Sequence, residues 1–370
     1  MAILQNLRTV PVRRGWLARE QIDEGLGLVQ LYPGAMMVDL VAYIGYRVRG
    51  VAGTLVATTG FVRPALVLML ALSWLYTSYG AAPGMAQFVV GLDAIVVGVI
   101  ASVAVDFALQ YAVGRLPALF ALAGFALVVS GANVLWPVLG GLFVGAVALR
   151  PAAPVGAAVA TADAPALAWN RLAVACLPGA AVVAAVAPAT LGSGALSTLA
   201  LDMAKVGSVA FGNGSTIMPV LQQDVVNGRH WLTLPEFGAA IGFGQITPGP
   251  FLITATFVGY RVAGLWGGVL ATVAIFAPSV AMTTVAAELY PLLRRLVWVR
   301  GAIAGIMAVF VGLLASVALS LGRPLAASSA ALVLLASAFV ALRVAKWNLL
   351  VIFGAGLGAW ALYLVLGGTG

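Results

Sequence analysis

Long apolar runs, separated by short polar or glycine- and proline-containing connections, occupy most of the chain. A helix needs about 20 apolar residues to cross the roughly 30 Å of hydrocarbon in a bilayer. By that measure the pattern predicts an all-α, polytopic membrane protein with about twelve transmembrane segments. With loose boundaries, these segments are residues 24–46, 51–78, 85–112, 117–131, 133–149, 171–191, 195–221, 236–261, 264–292, 298–321, 325–342 and 347–366.

Part of this pattern occurs twice. Gln30-Leu31-Tyr32-Pro33-Gly34 corresponds to Gln245-Ile246-Thr247-Pro248-Gly249, and Gly45-Tyr46-Arg47-Val48 corresponds to Gly259-Tyr260-Arg261-Val262. The spacing between the copies is constant from Trp16 and Trp231 up to the Pro-Gly pairs, and it is shorter by one position from Gly45 onward. Homologous repeats of this kind are common in secondary transporters. We therefore predict a first repeat at 1–150, a linker with one connecting transmembrane helix at 151–194, and a second repeat at 195–370.

The predicted repeats are expected to be inverted relative to each other. A complete repeat of six helices returns the chain to its starting side. The single helix at 171–191 would then place the second repeat upside down. The segment 195–221 finds no counterpart between Met1 and Trp16. The first repeat is thus expected to lack its opening helix, either through loss or because the natural chain starts further upstream.

Composition supports a membrane protein and narrows its chemistry. The chain is 63% hydrophobic and only 8% charged, with a mean hydropathy of +1.09, whereas soluble domains carry about 25% charged residues. Its net charge of +8 fits arginines at helix ends and cytoplasmic loops, without any pattern typical of nucleic-acid binding. One cysteine and one histidine, Cys176 and His230, provide neither a disulfide framework nor a metal site. No metal and no cofactor are therefore expected.

The two Pro-Gly pairs predict the substrate site. Such a pair breaks a helix, and the half-helix that follows begins with unpaired N–H groups and a partial positive charge. These features suit an anion, so two half-helices could meet at one oxyanion between the repeats. Side chains of glutamine and threonine beside the breaks would add neutral hydrogen bonds. The residues predicted to bind substrate here are Gln30, Pro33, Gly34, Gln245, Thr247, Pro248, Gly249 and Pro250.

The geometry of the first break has two alternatives. Arginines flank both ends of the segment 24–46, which is compatible with a re-entrant hairpin whose tip is Pro33-Gly34. A kink in a full span is the other arrangement. Non-helical backbone at membrane depth is tolerated only where it is buried in protein or lines a cavity, so both arrangements place the break at a functional position.

A second glycine-rich element, Phe211-Gly212-Asn213-Gly214, lies about two helical turns after Lys205. It is predicted to be another helix break, and Phe211, Gly212 and Gly214 are assigned to the substrate site. Lys205 either attracts the anion or neutralises Asp202, which lies three residues earlier on the same helix face. Both interpretations of Lys205 stay open at this point.

Ionisable side chains at membrane depth are costly and are therefore candidates for function. Arg63 precedes Pro64 inside an apolar segment and is predicted to be a counter-charge for the anion or a partner for Asp39. Asp39, Asp93 and Asp106 are candidates for proton coupling. Asp93 and Asp106 lie on nearly the same face of one helix and could form a relay.

These motifs resemble the chromate ion transporter family in its long, two-domain form. The match is clearest in the second half, at Lys205-Val206-Gly207, Phe211 to Gly214, Ile217-Met218-Pro219, Trp231-Leu232, Gln245 to Pro250 and Ala255 to Arg261. The first half matches from about Trp16 to Pro64. The likeness extends over nearly the whole chain except the linker.

This resemblance implies a multi-pass protein of the bacterial cytoplasmic membrane that exports chromate, a tetrahedral dianion, at the expense of the proton-motive force. The implied partners are chromate and the lipid bilayer, and a homodimer is an open arrangement. The implied outcome is chromate resistance. Two departures weaken the match in the first repeat: Ala35 replaces a second proline, and Asp39 stands where a glutamine is common.

Three alternatives to chromate export follow from the same residues. A sulfate or other oxyanion carrier would need the same half-helix chemistry. A degenerate, non-transporting member would explain the missing opening helix. A membrane-embedded enzyme would need clustered acids for a metal or a nucleophile with its base, and the lone His230 and scattered carboxylates supply neither. We therefore expect no enzymatic activity.

Overall fold

The computed structural model describes residues 2–80, 84–149, 173–177, 194–211, 214–293 and 297–367, and its regular elements are all helical. The α-helices are α1 (Ala2–Arg13), α2 (Arg19–Leu28), α3 (Met36–Tyr79), α4 (Met85–Tyr111), α5 (Arg115–Val129), α6 (Leu135–Ala148), α7 (Ala195–Ser208), α8 (Ile217–Gln222), α9 (Leu234–Ile246), α10 (Thr254–Leu293), α11 (Val297–Gly322), α12 (Ser329–Arg343) and α13 (Leu349–Val365). A π-helical turn spans Gln223–Gly228, and 3-10 turns span Phe251–Ile253 and Pro324–Ala327.

Several helices have the length and apolarity needed to cross a bilayer. Within the described ranges these are Met36–Tyr79, Met85–Tyr111, Phe251–Tyr290 and Trp298–Gly322. Shorter apolar helices at α5, α6, α12 and α13 accompany them. The chain is therefore a multi-pass membrane protein. Of the connecting helix predicted at 171–191, only residues 173–177 are described, and they are helical; the linker 151–170 lies outside the described residues.

The long helices α3 and α10 each consist of two arms joined by a sharp turn. In α3 the helical geometry is interrupted at Arg49 and Gly50, with φ and ψ of −144° and 29°, then 58° and −146°. In α10 the interruption is at Ala263 and Gly264, with nearly identical angles of −146° and 30°, then 62° and −150°. Both turns need a residue with positive φ, and a glycine supplies it each time. The two interruptions have the same spacing along the chain as the sequence repeat from Gly45 onward.

The chain reverses direction at both turns. Gly45 and Gly53 lie so close across the first turn that a Cβ added to either would overlap the carbonyl group of the other. Gly259 and Gly267 have the same relation across the second turn. The arms of α3 and of α10 therefore pack as tight antiparallel pairs, because only glycine allows two helix backbones to approach this closely.

One short helix precedes each of these long helices and packs against its first arm. Helix α2 lies against the first arm of α3, where a Cβ on Gly25 would be 2.5 Å from the Tyr43 ring. Helix α9 lies against the first arm of α10, and Glu236 near its start forms an ion pair with Arg261 near the end of that arm. The predicted single spans 24–46 and 236–261 are therefore each two short helices lying side by side.

The segment 195–221 is also divided. Helix α7 ends at Ser208 and α8 begins at Ile217, with the glycine-rich residues 211–214 between them. Backbone freedom at Gly214, whose φ is +89°, ends the continuous helix that the apolar pattern suggests.

The core exchanges helices between the two halves. Helices α5 and α6 pack against α11, while α12 and α13 pack against α4. Gly312 of α11 fits against the carbonyl of Ala121 in α5, and Gly98 of α4 fits against the carbonyl of Leu335 in α12. Gly98 and Gly312 are separated by the spacing of the sequence repeat, and so are Ala121 and Leu335. The halves are thus packed through corresponding contacts, and α4 and α11 lie at the centre.

Candidate functional site

The candidate site consists of two turns that we call tips. The first tip is residues 29–35, between α2 and α3, and contains Pro33 and Gly34. The second tip is residues 247–250, between α9 and the 3-10 turn before α10, and contains Pro248, Gly249 and Pro250.

The second tip has extended backbone and an unused hydroxyl. Thr247 and Pro250 have ψ angles of 122° and 134°, so the helix cannot continue through this segment. The Thr247 side chain is buried, and its Oγ1 has no hydrogen-bond partner among the described residues. A buried polar atom without a partner costs stability, so a ligand that accepts a hydrogen bond from this hydroxyl would be favoured here. Gln245, just before it in α9, is half-buried.

Gly249 holds the second tip against α3. Its φ is +154°, and a Cβ added there would be 2.7 Å from the Cβ of Ala65. Both the backbone angle and the contact favour glycine at this position. The second tip is therefore fixed by the helix of the other half.

The glycine-rich loop after α7 covers the second tip. A Cβ on Gly214 would be 2.8 Å from the Leu252 side chain, in the 3-10 turn that follows the tip. The Phe211 N–H donates to Thr216 Oγ1 at 2.9 Å, and this hydroxyl donates to the Phe211 carbonyl at 2.8 Å. Phe211 is buried against Phe310. Phe211 and Gly214 thus lie next to the tip, while the predicted site residue Gly212 lies outside the described residues.

The first tip is anchored on α10 by hydroxyl groups. The Ala35 N–H donates to Ser279 Oγ at 3.0 Å. The hydroxyls of Tyr32 and Thr283 are 2.7 Å apart and share a hydrogen bond. Ser279 is the counterpart of Ala65 in the sequence repeat, so each tip packs on the same position of the opposite helix. Gln30, at the edge of this tip, is exposed.

Asp39, in the first turn of α3, packs against the first tip. It is fully buried, and the hydroxyls of Ser279 and Thr283 are directed at its carboxylate. Its Oδ1 accepts from Thr283 at 3.3 Å, whereas Oδ2 has no partner in the described part of the chain. A Cβ on Gly34 would overlap Oδ2, so the glycine makes room for the acid. Asp39 is a candidate for function from the sequence alone, but its hydroxyl partners could not be predicted.

Arg63 is not the partner of Asp39. It takes part in none of the ion pairs found among the described residues, which corrects that predicted pairing. The residue is exposed and lines a cavity of about 220 Å³ between the second arms of α3 and α10. Thr58 lines the same cavity, and its buried Oγ1 has no partner within the described ranges. Arg63 thus remains available to an anion.

Lys205 belongs to an ion-pair network that includes the predicted partner Asp202 and a closer one, Asp224. Its Nζ lies 2.7 Å from Asp224 Oδ2 but 4.0 Å from Asp202 Oδ1. Asp202 instead binds Arg229, at 2.8 Å. Burial raises the pKa of the Asp224 carboxyl, and the hydrogen bond from Lys205 lowers it in part. Sequence spacing favoured Asp202 because a helical i, i+3 pair is visible in sequence, whereas the contact with Asp224 depends on the fold.

The remaining two acids lie in different surroundings. Asp106 has a side chain that is 64% exposed and forms an ion pair with Arg343. Asp93 is only 8% exposed, and its Oδ1 has no hydrogen-bond partner among the described residues. Thirteen residues of helix separate them by about 20 Å, so they cannot exchange a proton directly. A relay between these two acids would therefore need other groups or water between them.

Comparison with known proteins identifies the family of this chain. The sequence model of the chromate transporter family matches residues 1–146 and 197–360. The chromate transport protein of Cupriavidus metallidurans is 30% identical over 317 residues, covering 83% of this chain and 74% of that protein. The probable chromate transport protein of Synechococcus elongatus is 31% identical over 290 residues, covering 76% of this chain and 70% of that protein.

A more distant relative is an uncharacterized transporter of Methanocaldococcus jannaschii, 26% identical over 337 residues, which cover 91% of this chain and 83% of that protein. No solved structure matches the chain. The family model leaves out the whole predicted linker region 151–194 and matches both parts that contain a tip. The chain belongs to the chromate transporter family.

Proposed function

We propose that this protein is a secondary transporter that carries chromate out of the cell across the cytoplasmic membrane, coupled to protons. The relatives named as chromate transport proteins support the substrate. The observation that carries the proposal is the second tip, where an unpartnered buried hydroxyl adjoins a proline-glycine turn and the start of α10. Helix starts favour anions, and a tetrahedral oxyanion accepts many hydrogen bonds.

Chromate binds first at the second tip in this proposal. Thr247 and Gln245 donate neutral hydrogen bonds, and residues 248–250 shape the turn. Phe211 and Gly214 keep the loop against it. Gln30, Pro33 and Gly34 complete the site from the first tip, in a lesser role because the buried Asp39 lies there.

Two cations assist the dianion from outside the tips. Arg63 lines the cavity between α3 and α10 and has no carboxylate partner among the described residues, so it offers a free charge along that route. Lys205 is half-exposed but already bound to Asp224. Because Asp224 compensates much of its charge, we assign Lys205 only a weak attraction of the anion at the rim of the site.

We further propose that the repeats at 1–150 and 195–370 are inverted across the membrane, with about twelve spans and both tips re-entrant. The reciprocal contacts of the tips, Ala65 with Gly249 and Ser279 with Ala35, support a two-fold relation. Each tip then reaches membrane depth from the opposite side, where its non-helical backbone is buried in protein. Cysteine accessibility from either side of a sealed vesicle would measure this orientation.

Transport by the purified protein in proteoliposomes tests the function. We expect uptake of labelled chromate into vesicles whose interior is acidic, with competition by excess unlabelled chromate. Stronger competition by sulfate than by chromate would replace the substrate with sulfate on the same scaffold. Vesicles that contain folded protein but take up neither oxyanion would contradict the proposal and indicate a non-transporting member.

A further inference from the structure

We propose that Asp93 is the proton-binding group of this transporter and that the cavity beside it is the aqueous route by which the proton arrives. This inference rests on the proposed transport function and deepens it. Three independent features support it: an accessible cavity, an unpaired carboxylate oxygen, and a direct contact with the helix that leads to the second tip.

The cavity is large enough to hold water. Its volume is about 570 Å³, and it lies between the ends of α3, α4, α9 and α11. A water molecule occupies about 30 Å³ of liquid, so the space holds several. Polar groups at Thr233, Glu236 and Ser328 line it together with Asp93. Water at these groups brings a proton donor to the carboxylate.

Asp93 has no compensating charge among the residues that the structure describes. It forms no ion pair within the described ranges, and Oδ1 has no hydrogen-bond partner there. An ionised carboxylate without a partner is expensive inside a membrane protein. A proton passing from a hydronium ion in the cavity to the carboxylate removes that charge and leaves water behind. Its return to water on the other side completes the cycle.

The neighbouring helices supply no cation for Asp93 among the residues that the structure describes. Glu236 of α9 lines the cavity but is already bound to Arg261 of α10 and caps its own helix through Thr233. Tyr76 contributes a phenol from α3. The lining residues after α11 are neutral, and α13 faces α4 with the indole of Trp360. The charge state of Asp93 is therefore set by the cavity water and not by a fixed partner.

Gly238 links Asp93 to the second tip. A Cβ on Gly238 would overlap Asp93 Oδ1, so the backbone of α9 lies directly on the carboxylate. Eight residues later α9 ends at Ile246, immediately before Thr247. A change of charge at Asp93 alters the packing of this helix, and α9 passes the shift to the tip as a rigid element. The proton and the anion thus act on the same short helix.

The test uses the Asp93→Asn variant in proteoliposomes. We expect chromate–chromate exchange at equal pH to persist, because exchange needs no net proton movement. Accumulation driven by a pH gradient should fall at least tenfold, since a neutral amide cannot carry the proton. Asp23→Asn, at an exposed position of α2, is the matched control and should behave as wild type in both assays. An Asp93→Asn protein that still accumulates chromate in response to the pH gradient overturns the proposal.

A second variant decides the outcome if Asp93→Asn also loses exchange. Gly238→Ala keeps the acid but forces its carboxylate away from α9, so the pH dependence of transport should shift. An unchanged pH profile overturns the proposal, and a shifted profile supports it. If wild-type protein transports chromate without any response to a pH gradient, this inference fails while the proposed substrate stands. If wild-type protein transports no oxyanion, the proposed function itself fails.

Discussion

The first and second tips occupy corresponding places. Each lies between a short helix and the first arm of a long helix, and each packs on the long helix of the other half. They differ in what they bury. The second tip buries Thr247, a hydroxyl with no partner in the described part of the chain, whereas the first buries the Asp39 carboxylate among hydroxyls. A hydroxyl can donate to a dianion, but a carboxylate repels it. A duplicated backbone can therefore carry two different chemistries, and we place the anion at the second tip.

The largest effect is expected from Gly249→Val. A β-branched side chain strains a residue with φ of +154° and collides with Ala65, so the second tip must move. A displacement of about 1 Å at a binding site can cost on the order of a hundredfold in rate. Chromate flux in vesicles should therefore fall to that extent while the protein stays in the membrane.

Gly354→Val is the matched control for this variant, because a Cβ at Gly354 meets nothing within 4 Å. It should transport like wild type. Full activity in Gly249→Val would erase the difference drawn between the tips and move the site elsewhere.

A smaller effect, mainly on stability, is expected from Gly34→Ala in the first tip, whose role in substrate binding is the lesser one. The added Cβ would overlap Asp39 Oδ2, and overpacking of this kind costs about 1–3 kcal/mol. Thermal unfolding in detergent should show a lower midpoint. The double variant Gly34→Ala with Asp39→Ala should recover part of the loss, since the two residues are in contact. Additive losses would show that the Gly34–Asp39 contact does not determine the first tip.

The finest comparison sets Thr247→Val against Tyr32→Phe, the residues at equivalent places in the two tips. Loss of a hydrogen bond to a charged ligand costs roughly 1.5–3 kcal/mol, so Thr247→Val should weaken chromate binding about tenfold or more. Tyr32→Phe loses only the hydrogen bond to Thr283, about 1 kcal/mol of stability, and should leave binding nearly unchanged. Equal losses of affinity, measured by competition in exchange assays, would argue for a symmetric site.

The positions of the tips and of the sharp turns could be predicted from the sequence, because Pro-Gly pairs and the constant spacing are local signals. The turn at Gly50 falls in the short gap between two predicted spans, and the turn at Ala263 and Gly264 falls at the boundary between two others. The closest partners of the buried and charged residues could not be predicted. Lys205 of α7 binds Asp224, which lies in the π-helical turn after α8. Asp93 contacts Gly238, a glycine that sequence patterns do not distinguish from many others. Such contacts depend on how helices cross, which apolar periodicity does not specify.

The exchange of helices between the halves has a consequence for synthesis. Gly98 of α4 leaves the ribosome early, yet the carbonyl of Leu335 against which it fits belongs to a helix near the other end of the chain. At a synthesis rate of about 5–20 residues per second, α4 waits in the bilayer for roughly ten seconds or more without its final neighbour. During that interval the insertion machinery or lipid must cover its small-residue face. We therefore expect membrane proteases to degrade chains that are truncated before α12.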